Sequence, residues 1–356
     1  MEDTSVIFIG DPHFQVSNIK EVDNFITKVC KILEERKESL SLIVIAGDLL
    51  HSHEKLHTTA LNKAYEFLDK LRKICKTYVL VGNHDMINNQ QFLTENHWMN
   101  SIKEWSNIII VDKVKYEIID NNKFIFVPYV FNGRFEEALN TLDIEWSDAK
   151  CIFAHQEFYG CNMGSVISID GDKWSLDYPY VISGHIHSKQ NPQENIFYTG
   201  ASIQHAFGES HENIIACLTF KESKPKYNTE EIDLGLTRKK ILYLDAENLE
   251  DFILPETEDK LKLTISGIYE EFKDFKKSKK YKKLIDKGVK INFKQKKKEI
   301  LKKEEFQNSV IQDNNTYDFK NILNILVNEE KNCKVNEIYE LIINNKKISS
   351  RDLLFL

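Results

Sequence analysis

The first part of the chain alternates short apolar runs with longer segments that carry apolar residues at helical spacing. Residues 5–9, 42–46 and 78–81 are strand-sized apolar runs. Residues 22–33 and 57–76 lie between them, and their apolar side chains recur every three or four positions, which predicts amphipathic helices. This β-α-β-α-β order predicts parallel strands whose carboxyl ends share one edge of a sheet, where open α/β sheets bind their ligands.

Strand-like runs dominate the middle of the chain, from about residue 108 to residue 220. Two helical stretches, near residues 91–104 and 133–142, accompany them. Runs of strands combined with a few helices fit a two-sheet sandwich flanked by helices.

The pattern changes from about residue 237. Residues 261–266, 269–287 and 289–294 are typical of a strand, a helix and a strand, which predicts a small β-α-β unit. Residues 317–345 again carry apolar side chains at helical spacing and predict a helical tail.

Composition narrows the class of protein. The chain has 356 residues, of which 42% are hydrophobic and 29% charged, as in soluble globular proteins. No apolar run approaches the roughly 20 residues that span a bilayer, and the start lacks the pattern of a signal peptide. The six cysteines are scattered, which favours reduced thiols. We therefore expect a cytoplasmic or nuclear protein without membrane association.

The net charge of −7 hides a basic region. Residues 273–303 contain fifteen lysines and only Asp274, Asp286 and Glu299 as acidic residues. Such a stretch is suited to sequence-independent phosphate contacts, but it could equally be a solvated helix face.

Metal-ligand side chains follow the predicted strands. Carboxylate, imidazole and amide groups in this arrangement suit Mn²⁺, Fe or Zn²⁺ better than Mg²⁺. Each motif alone is weak, and it is the ordered set that predicts a metal site. The motifs are Asp11-Pro12-His13, Gly47-Asp48, Gly82-Asn83-His84-Asp85, Ala154-His155 and Gly184-His185-Ile186-His187.

This ordered set resembles the signature of the calcineurin-like metallophosphoesterases over about residues 5–220. The resemblance implies an α/β fold, namely a four-layer α-β-β-α sandwich, and a centre of two divalent metal ions, most often Mn²⁺. It assigns Asp11, His13 and His187 to one ion, Asn83, His155 and His185 to the other, and Asp48 to a bridge between them. His84 would be the catalytic imidazole, and Asp85 would orient the loop or the His84 ring. Ala154 stands where many family members have glycine.

Other histidines are expected to have different roles. His97, His205 and His211 are expected in structural or surface positions, and His53 and His57 as solvated or capping residues at a helix start.

Three features resemble the SbcD type of DNA double-strand-break-repair nuclease within this superfamily. The stretch from Gly47 to His51 is similar to a motif in which the final histidine positions the cleaved strand, although a surface histidine is the alternative. Residues 239–294 are similar to a small capping domain that engages DNA. The tail from residue 317 stands where family members bind an SbcC-like ATPase of the SMC family, although packing on its own catalytic domain is equally compatible.

The resemblance thus implies a catalytic domain over residues 1–238, a small β-α-β cap over residues 239–295, and a lysine-rich linker with a helical C-terminal tail over residues 296–356. It implies a Mn²⁺-dependent exonuclease or endonuclease acting on DNA ends or hairpins, and it leaves a homodimer open. Two alternatives stand beside it: a phosphomonoesterase or nucleotide phosphodiesterase acting on a small molecule, and a non-catalytic scaffold that recruits a repair ATPase.

Overall fold

Three β-sheets organise the part of the chain that the structure describes, which comprises residues 3–53, 55–224, 226–296, 327 and 339 of a computed structural model. The strands are β1 (Thr4–Ile9), β2 (Leu42–Ile45), β3 (Thr77–Leu80), β4 (Ile108–Val111), β5 (Lys115–Ile119), β6 (Asn122–Val127), β7 (Cys151–His155), β8 (Tyr180–Gly184), β9 (Gln190–Gln193), β10 (Ile196–Tyr198), β11 (Ile214–Phe220), β12 (Asn228–Asp233), β13 (Lys239–Asp245), β14 (Lys260–Gly267) and β15 (Lys290–Gln295). The α-helices are α1 (Ile19–Arg36), α2 (Thr58–Ile74), α3 (Phe135–Leu139), α4 (Tyr269–Lys277) and α5 (Lys279–Asp286).

The first two sheets have six strands each and are both mixed. The first has the order β12-β11-β1-β2-β3-β4, with β1 to β4 parallel, as the β-α-β-α-β pattern predicts. The second has the order β5-β6-β7-β8-β10-β9, with a parallel centre and an antiparallel strand at each edge. The prediction of a mixed α/β fold with two packed sheets is therefore confirmed.

Alternate side chains of β1 enter two different cores. Ile7 and Ile9 face α1 and α2, whereas Val6 and Phe8 face the second sheet. Phe8 stacks there on Phe153 of β7, with ring centroids 5.9 Å apart. A two-residue period is what a strand buried on both faces requires. The far side of the second sheet is covered by the short helix α3 and irregular segments, so the four-layer order stays a prediction.

Two predicted helices are shorter than expected. Residues 91–97 are irregular and lead into a 3-10 helix at Trp98–Ile102, and α3 covers only five residues of the predicted 133–142. Polar side chains before Trp98 bind nearby backbone groups instead: Asn88 accepts from the Gln90 amide and Thr94 from the Asn96 amide. Such local bonds compete with helix formation.

The third sheet, β13-β14-β15, is parallel and has its own apolar core around Leu263, Ile265, Phe272 and Phe275. The single helix predicted for residues 269–287 is interrupted at Ser278. This hydroxyl accepts a hydrogen bond from the Tyr281 amide at 3.1 Å and so caps α5. A β-α-β unit is present, while its boundaries and its capping role stay predictions.

The chain separates into two units, Met1–Lys297 and Lys298–Leu356. In the second unit, Val327 and Tyr339 are described, and both are helical. The lysine-rich linker and the helical tail otherwise lie outside the described residues. Among the described helices, none is long and apolar enough to cross a membrane.

Candidate metal centre

The carboxyl ends of five strands from two sheets meet at one edge of the sandwich. Asp11, Asp48 and Asn83 follow β1, β2 and β3, while His155 ends β7 and His185 follows β8. The His13 amide donates to the Asp48 carbonyl at 2.9 Å, which joins the first two of these loops. All seven residues predicted as metal ligands lie in this cluster.

Four of the seven adopt a backbone conformation that non-glycine residues rarely take. The φ angles are +30° at Asp11, +44° at His13, +48° at Asp48 and +80° at His185. Left-handed backbone at such residues costs of order 1–3 kcal/mol each and is concentrated at functional sites. The surrounding fold holds these side chains in place against that cost.

Glycines allow the loops to approach the site closely. A Cβ on Gly82 would lie 2.2 Å from Asp48 Oδ1, and a Cβ on Gly47 would lie 2.6 Å from His155 Nδ1. Gly47 also has a φ of +108°, which side chains disfavour. Both positions therefore require glycine because the site occupies the space of a side chain.

One half of the cluster contains Asp11, His13 and His187. The Nε2 atoms of His13 and His187 lie 3.1 Å apart, and His13 Nε2 lies 3.5 Å from Asp48 Oδ2. Asp11 Oδ1 accepts the His185 amide at 2.9 Å, whereas the buried Oδ2 has no hydrogen-bond partner among the described residues.

The other half contains Asn83, His155 and His185. Asn83 Oδ1 lies 3.0 Å from both His155 Nε2 and His185 Nδ1. His155 Nδ1 lies 2.7 Å from the Ala46 carbonyl, so this nitrogen is the donor and Nε2 faces the site. His155 therefore lies in the cluster, although Ala154 before it replaces the glycine of many family members.

Asp48 joins the two halves. Its Oδ2 atom lies 3.5 Å from His155 Nε2 as well as 3.5 Å from His13 Nε2. Ligand atoms of Asp11, His13 and Asp48 lie within 4.8 Å of one another, as do those of Asp48, His155 and His185. The donor set fits two cations with one shared carboxylate. The unpartnered Asp11 oxygen and the facing imidazole nitrogens point to the same conclusion, because buried polar atoms otherwise find partners.

The charges in the cluster agree with metal binding. Burial lowers the pKa of His185 to about 3, so its imidazole is neutral and able to ligate. Burial alone would also lower the pKa of His155, but the Asp48 carboxylate outweighs this and raises it to about 9. The raised pKa means that His155 carries an extra proton, whose positive charge faces Asp48. A cation bound next to Asp48 would supply this positive charge instead.

His84 stands beside the cluster and is partly open to solvent. Its amide donates to Asp48 Oδ1 at 2.8 Å, and its Nδ1 lies 2.6 Å from the His51 carbonyl. His51 thus accepts a hydrogen bond from His84 through its backbone carbonyl. The rings of His51 and His84 also stack, with centroids 5.5 Å apart. The His53 ring also stacks on His84, at 4.4 Å, a contact that the sequence did not predict.

Asp85 contacts the loop rather than the His84 ring. Its carboxylate accepts from the Gly82 amide at 3.1 Å, the Leu50 amide at 3.4 Å and the Trp98 indole at 2.9 Å. Of the two roles predicted for Asp85, these bonds favour orientation of the loop.

Two residues near the site carry roles that the sequence did not indicate. His205 was expected in a structural or surface position, yet its ring lies 4.7 Å from that of His13 and 5.3 Å from that of His187. Glu209 Oε1 lies 3.3 Å from His187 Nδ1. Both belong to an irregular segment without periodicity, so only the folded chain shows their proximity. The side chain of His97 lies away from the cluster, at 3.2 Å from Asp112. His57 precedes α2 as its N-cap residue, without a side-chain capping bond in the described part of the chain.

A family model, two viral proteins and a solved structure are similar to this chain. The family model for "Calcineurin-like phosphoesterase" matches residues 4–189. "Putative phosphoesterase 244L" of Invertebrate iridescent virus 6 is 49% identical over 285 residues, which cover 78% of this chain and 99% of the relative. "Putative phosphoesterase 078R" of Invertebrate iridescent virus 3 is 46% identical over 295 residues, 82% of this chain and 84% of the relative. A solved structure titled "GAP50 the anchor in the inner membrane complex of Plasmodium" has a TM-score of 0.43 and 13% identity, covering 66% of this chain and 86% of that chain.

The chain therefore belongs to the calcineurin-like phosphoesterase family, whose members use divalent metal ions to hydrolyse phosphoesters.

Proposed function

We propose that this protein is a two-metal phosphodiesterase, and that its substrate is DNA, cleaved as an exonuclease or endonuclease at ends or hairpins in the presence of Mn²⁺. The observation that carries the two-metal part is the position of Asp48 between two groups of ligand side chains. Asp11, His13 and His187 would hold one ion, and Asn83, His155 and His185 the other.

The bound ions would supply Lewis acidity and lower the pKa of a bound water so that it can attack phosphorus. The chain's own residues would position the substrate and donate a proton to the leaving group. His84 keeps Nδ1 on the His51 carbonyl, which leaves Nε2 free for the substrate. From this position the imidazole can act as a general acid and donate a proton from Nε2 to the leaving oxygen.

A polymeric substrate is supported by a cleft between the catalytic part and the third sheet. The cleft has a volume of about 1140 Å³, above the roughly 300–1,000 Å³ of most small-ligand pockets. It extends from His205, beside the proposed metal centre, to Lys287 and to Lys290, the first residue of β15. Lysines there suit contacts with a phosphate backbone.

A small phosphoester is the second candidate substrate. Glu256, Glu258 and Asp259 line the same cleft as the lysines and would repel a polyanion. A phosphomonoesterase or nucleotide phosphodiesterase would use the same metal centre without needing the cleft.

The proposal includes an SbcC-like ATPase as partner, because residues 317–345 have the apolar spacing of a partner-binding helix. A homodimer is compatible with it. Co-purification of the full chain with such an ATPase, lost when residues 297–356 are removed, tests this part separately.

The test of the substrate is degradation of 5′-labelled duplex and hairpin DNA in Mn²⁺, with EDTA and the His84→Ala variant as controls. Cleavage by the wild type that is lost in both controls supports the nuclease. Intact DNA together with turnover of a small aryl phosphate in the same buffer would replace DNA by a small-molecule substrate. Inactivity toward both DNA and the aryl phosphate would contradict the proposal that the protein is a phosphoesterase.

A further inference from the structure

Glu209 lies in the irregular segment between β10 and β11 and uses both of its carboxylate oxygens. Oε1 lies 3.3 Å from His187 Nδ1, and Oε2 accepts the backbone amides of His205 and Ala206, each at 2.8 Å. The side chain is about one quarter exposed, at 27%. Three contacts from three residues fix the plane of this carboxylate.

The contact with His187 determines which nitrogen of that ring carries hydrogen. Because a carboxylate can only accept, His187 Nδ1 must donate, and the lone pair of the neutral ring is then on Nε2. Nε2 is the atom that faces His13 Nε2 at 3.1 Å. A histidine that ligates a metal through one nitrogen commonly donates the other to a carboxylate, which holds the ring and makes it a stronger ligand.

The same carboxylate also secures His205. The His205 amide donates to Glu209, while its side-chain Nε2 lies 3.0 Å from the Asp11 carbonyl. The His205 Nδ1 atom is buried and has no hydrogen-bond partner within the described ranges. Glu209 therefore connects His187 directly, and Asp11 through His205, to one short segment of the chain.

This segment lies beyond residues 4–189, the part of the chain that matches the family. It also contacts the third sheet, because the Lys239 amide donates to Gln204 Oε1 at 2.6 Å. We propose that Glu209 is a positioning residue of the metal centre, which fixes the His187 ring and the Asp11 loop for the ion held by Asp11, His13 and His187. This inference rests on the proposed two-metal function.

A purely structural role for Glu209 makes a different prediction. If the carboxylate only secured the His205–Ala206 turn, its loss would lower the stability of the chain but would leave both metal affinities unchanged. A positioning role predicts that one affinity falls and the other does not. Metal binding, measured without substrate, separates the two roles.

The experiment is calorimetric titration of the chelator-treated full chain with Mn²⁺, for the wild type, Glu209→Gln, Glu209→Ala and Glu212→Gln. Glutamine keeps one acceptor oxygen and so preserves the turn better than alanine does. Glu212 pairs with Lys189 on the surface and is the matched control. Thermal unfolding of each metal-free variant reports whether its fold is intact.

We expect two binding events in the wild type and in Glu212→Gln. In Glu209→Gln, one event should weaken about 10- to 100-fold while the other is retained, and Glu209→Ala should lose the same event further. Unchanged affinities at both sites in a folded Glu209→Gln would overturn the positioning role and leave the proposed function intact. If the wild type binds no Mn²⁺, both the positioning role of Glu209 and the proposed two-metal function are overturned. If it binds Mn²⁺ but does not cleave DNA, only the proposed substrate is overturned.

Discussion

His13 and His187 are 174 residues apart in the chain, yet their Nε2 atoms lie 3.1 Å apart at the edge shared by the two sheets. Two neutral imidazole lone pairs repel at this distance unless a proton or a cation lies between them. Burial keeps the pKa of His13 well below its usual range, which disfavours a proton on that ring. Burial alone would lower the pKa of His187, but the Glu209 and Asp11 carboxylates raise it above its usual value. Without metal, a proton on His187 can bridge the two nitrogens, and a shared cation would replace that proton.

The role proposed for His84 predicts a selective loss of catalysis. His84→Ala removes the proton donor but none of the proposed ligand atoms, so the rate of phosphoester hydrolysis should fall about 10²- to 10⁴-fold while Mn²⁺ affinity stays at the wild-type value. Steady-state kinetics and calorimetry on the same preparation check this. An equal loss of metal affinity would make His84 a ligand instead of a proton donor.

The indole of Trp98 is predicted to support the site through Asp85. Trp98→Phe removes the 2.9 Å bond to Asp85 Oδ1 and, among the described residues, leaves only the Leu50 amide, at 3.4 Å, on that oxygen. The free energy of unfolding should fall by about 1–2 kcal/mol, and kcat about tenfold, because Asp85 holds the loop that carries Asn83 and His84.

Trp146→Phe is the matched control for this change. Its indole donates to Asn140 Oδ1 at 2.8 Å, in a part of the fold that does not touch the metal centre. Chemical denaturation and kinetics on both variants should show a loss of stability in each and a loss of kcat only in Trp98→Phe. A wild-type kcat in Trp98→Phe would refute the proposal that Trp98 supports the metal centre through Asp85.

Asp112 is predicted to make stability depend on pH. Burial alone would raise its pKa, but hydrogen bonds from His97 and Lys103 hold the pKa well below the usual 3.8. A lowered pKa in the folded state contributes stability that is fully present above 3.8 and is lost as the pH falls toward the folded-state pKa. Asp112→Asn should therefore cost about 2 kcal/mol at neutral pH.

The difference between wild type and Asp112→Asn should stay constant from neutral pH to about pH 4 and should narrow as the pH falls further, to about pH 2. Urea unfolding across that range measures it. Asp148→Asn, which removes an exposed partner of Lys123, is the control and should change stability by less than about 1 kcal/mol at every pH. A constant difference for Asp112→Asn would mean that its charge does not stabilise the fold.

The ligand cluster could be predicted because each motif directly follows a strand. Once β1, β2 and β3 are parallel and adjacent, Asp11, Asp48 and Asn83 must share one edge. Convergence of β7 and β8 on the same edge was implied by the family resemblance rather than by periodicity.

The contacts around the ligands could not be predicted in this way. Glu209 and His205 lie in an irregular segment, whose path depends on what it packs against. Trp98 belongs to a stretch predicted as helix, but its indole turns to Asp85 and the preceding residues form local polar bonds instead. At Trp98, tertiary contacts and side-chain hydrogen bonds outweigh the local helical pattern, whereas the segment around Glu209 has no local pattern from which its path could be predicted.

The stoichiometry of Mn²⁺ binding tests the central claim most directly. Because Asp48 contacts both halves of the cluster, the chelator-treated wild type should bind two Mn²⁺ ions per chain. Asp48→Asn should weaken the binding of both ions by more than about 100-fold, a larger effect than the loss of a residue that only holds a ligand in place. The Asp23→Asn variant, which changes an exposed carboxylate on α1, should bind like the wild type. Binding of a single ion by the wild type, or loss of only one ion in a folded Asp48→Asn, would contradict a centre of two metals bridged by Asp48.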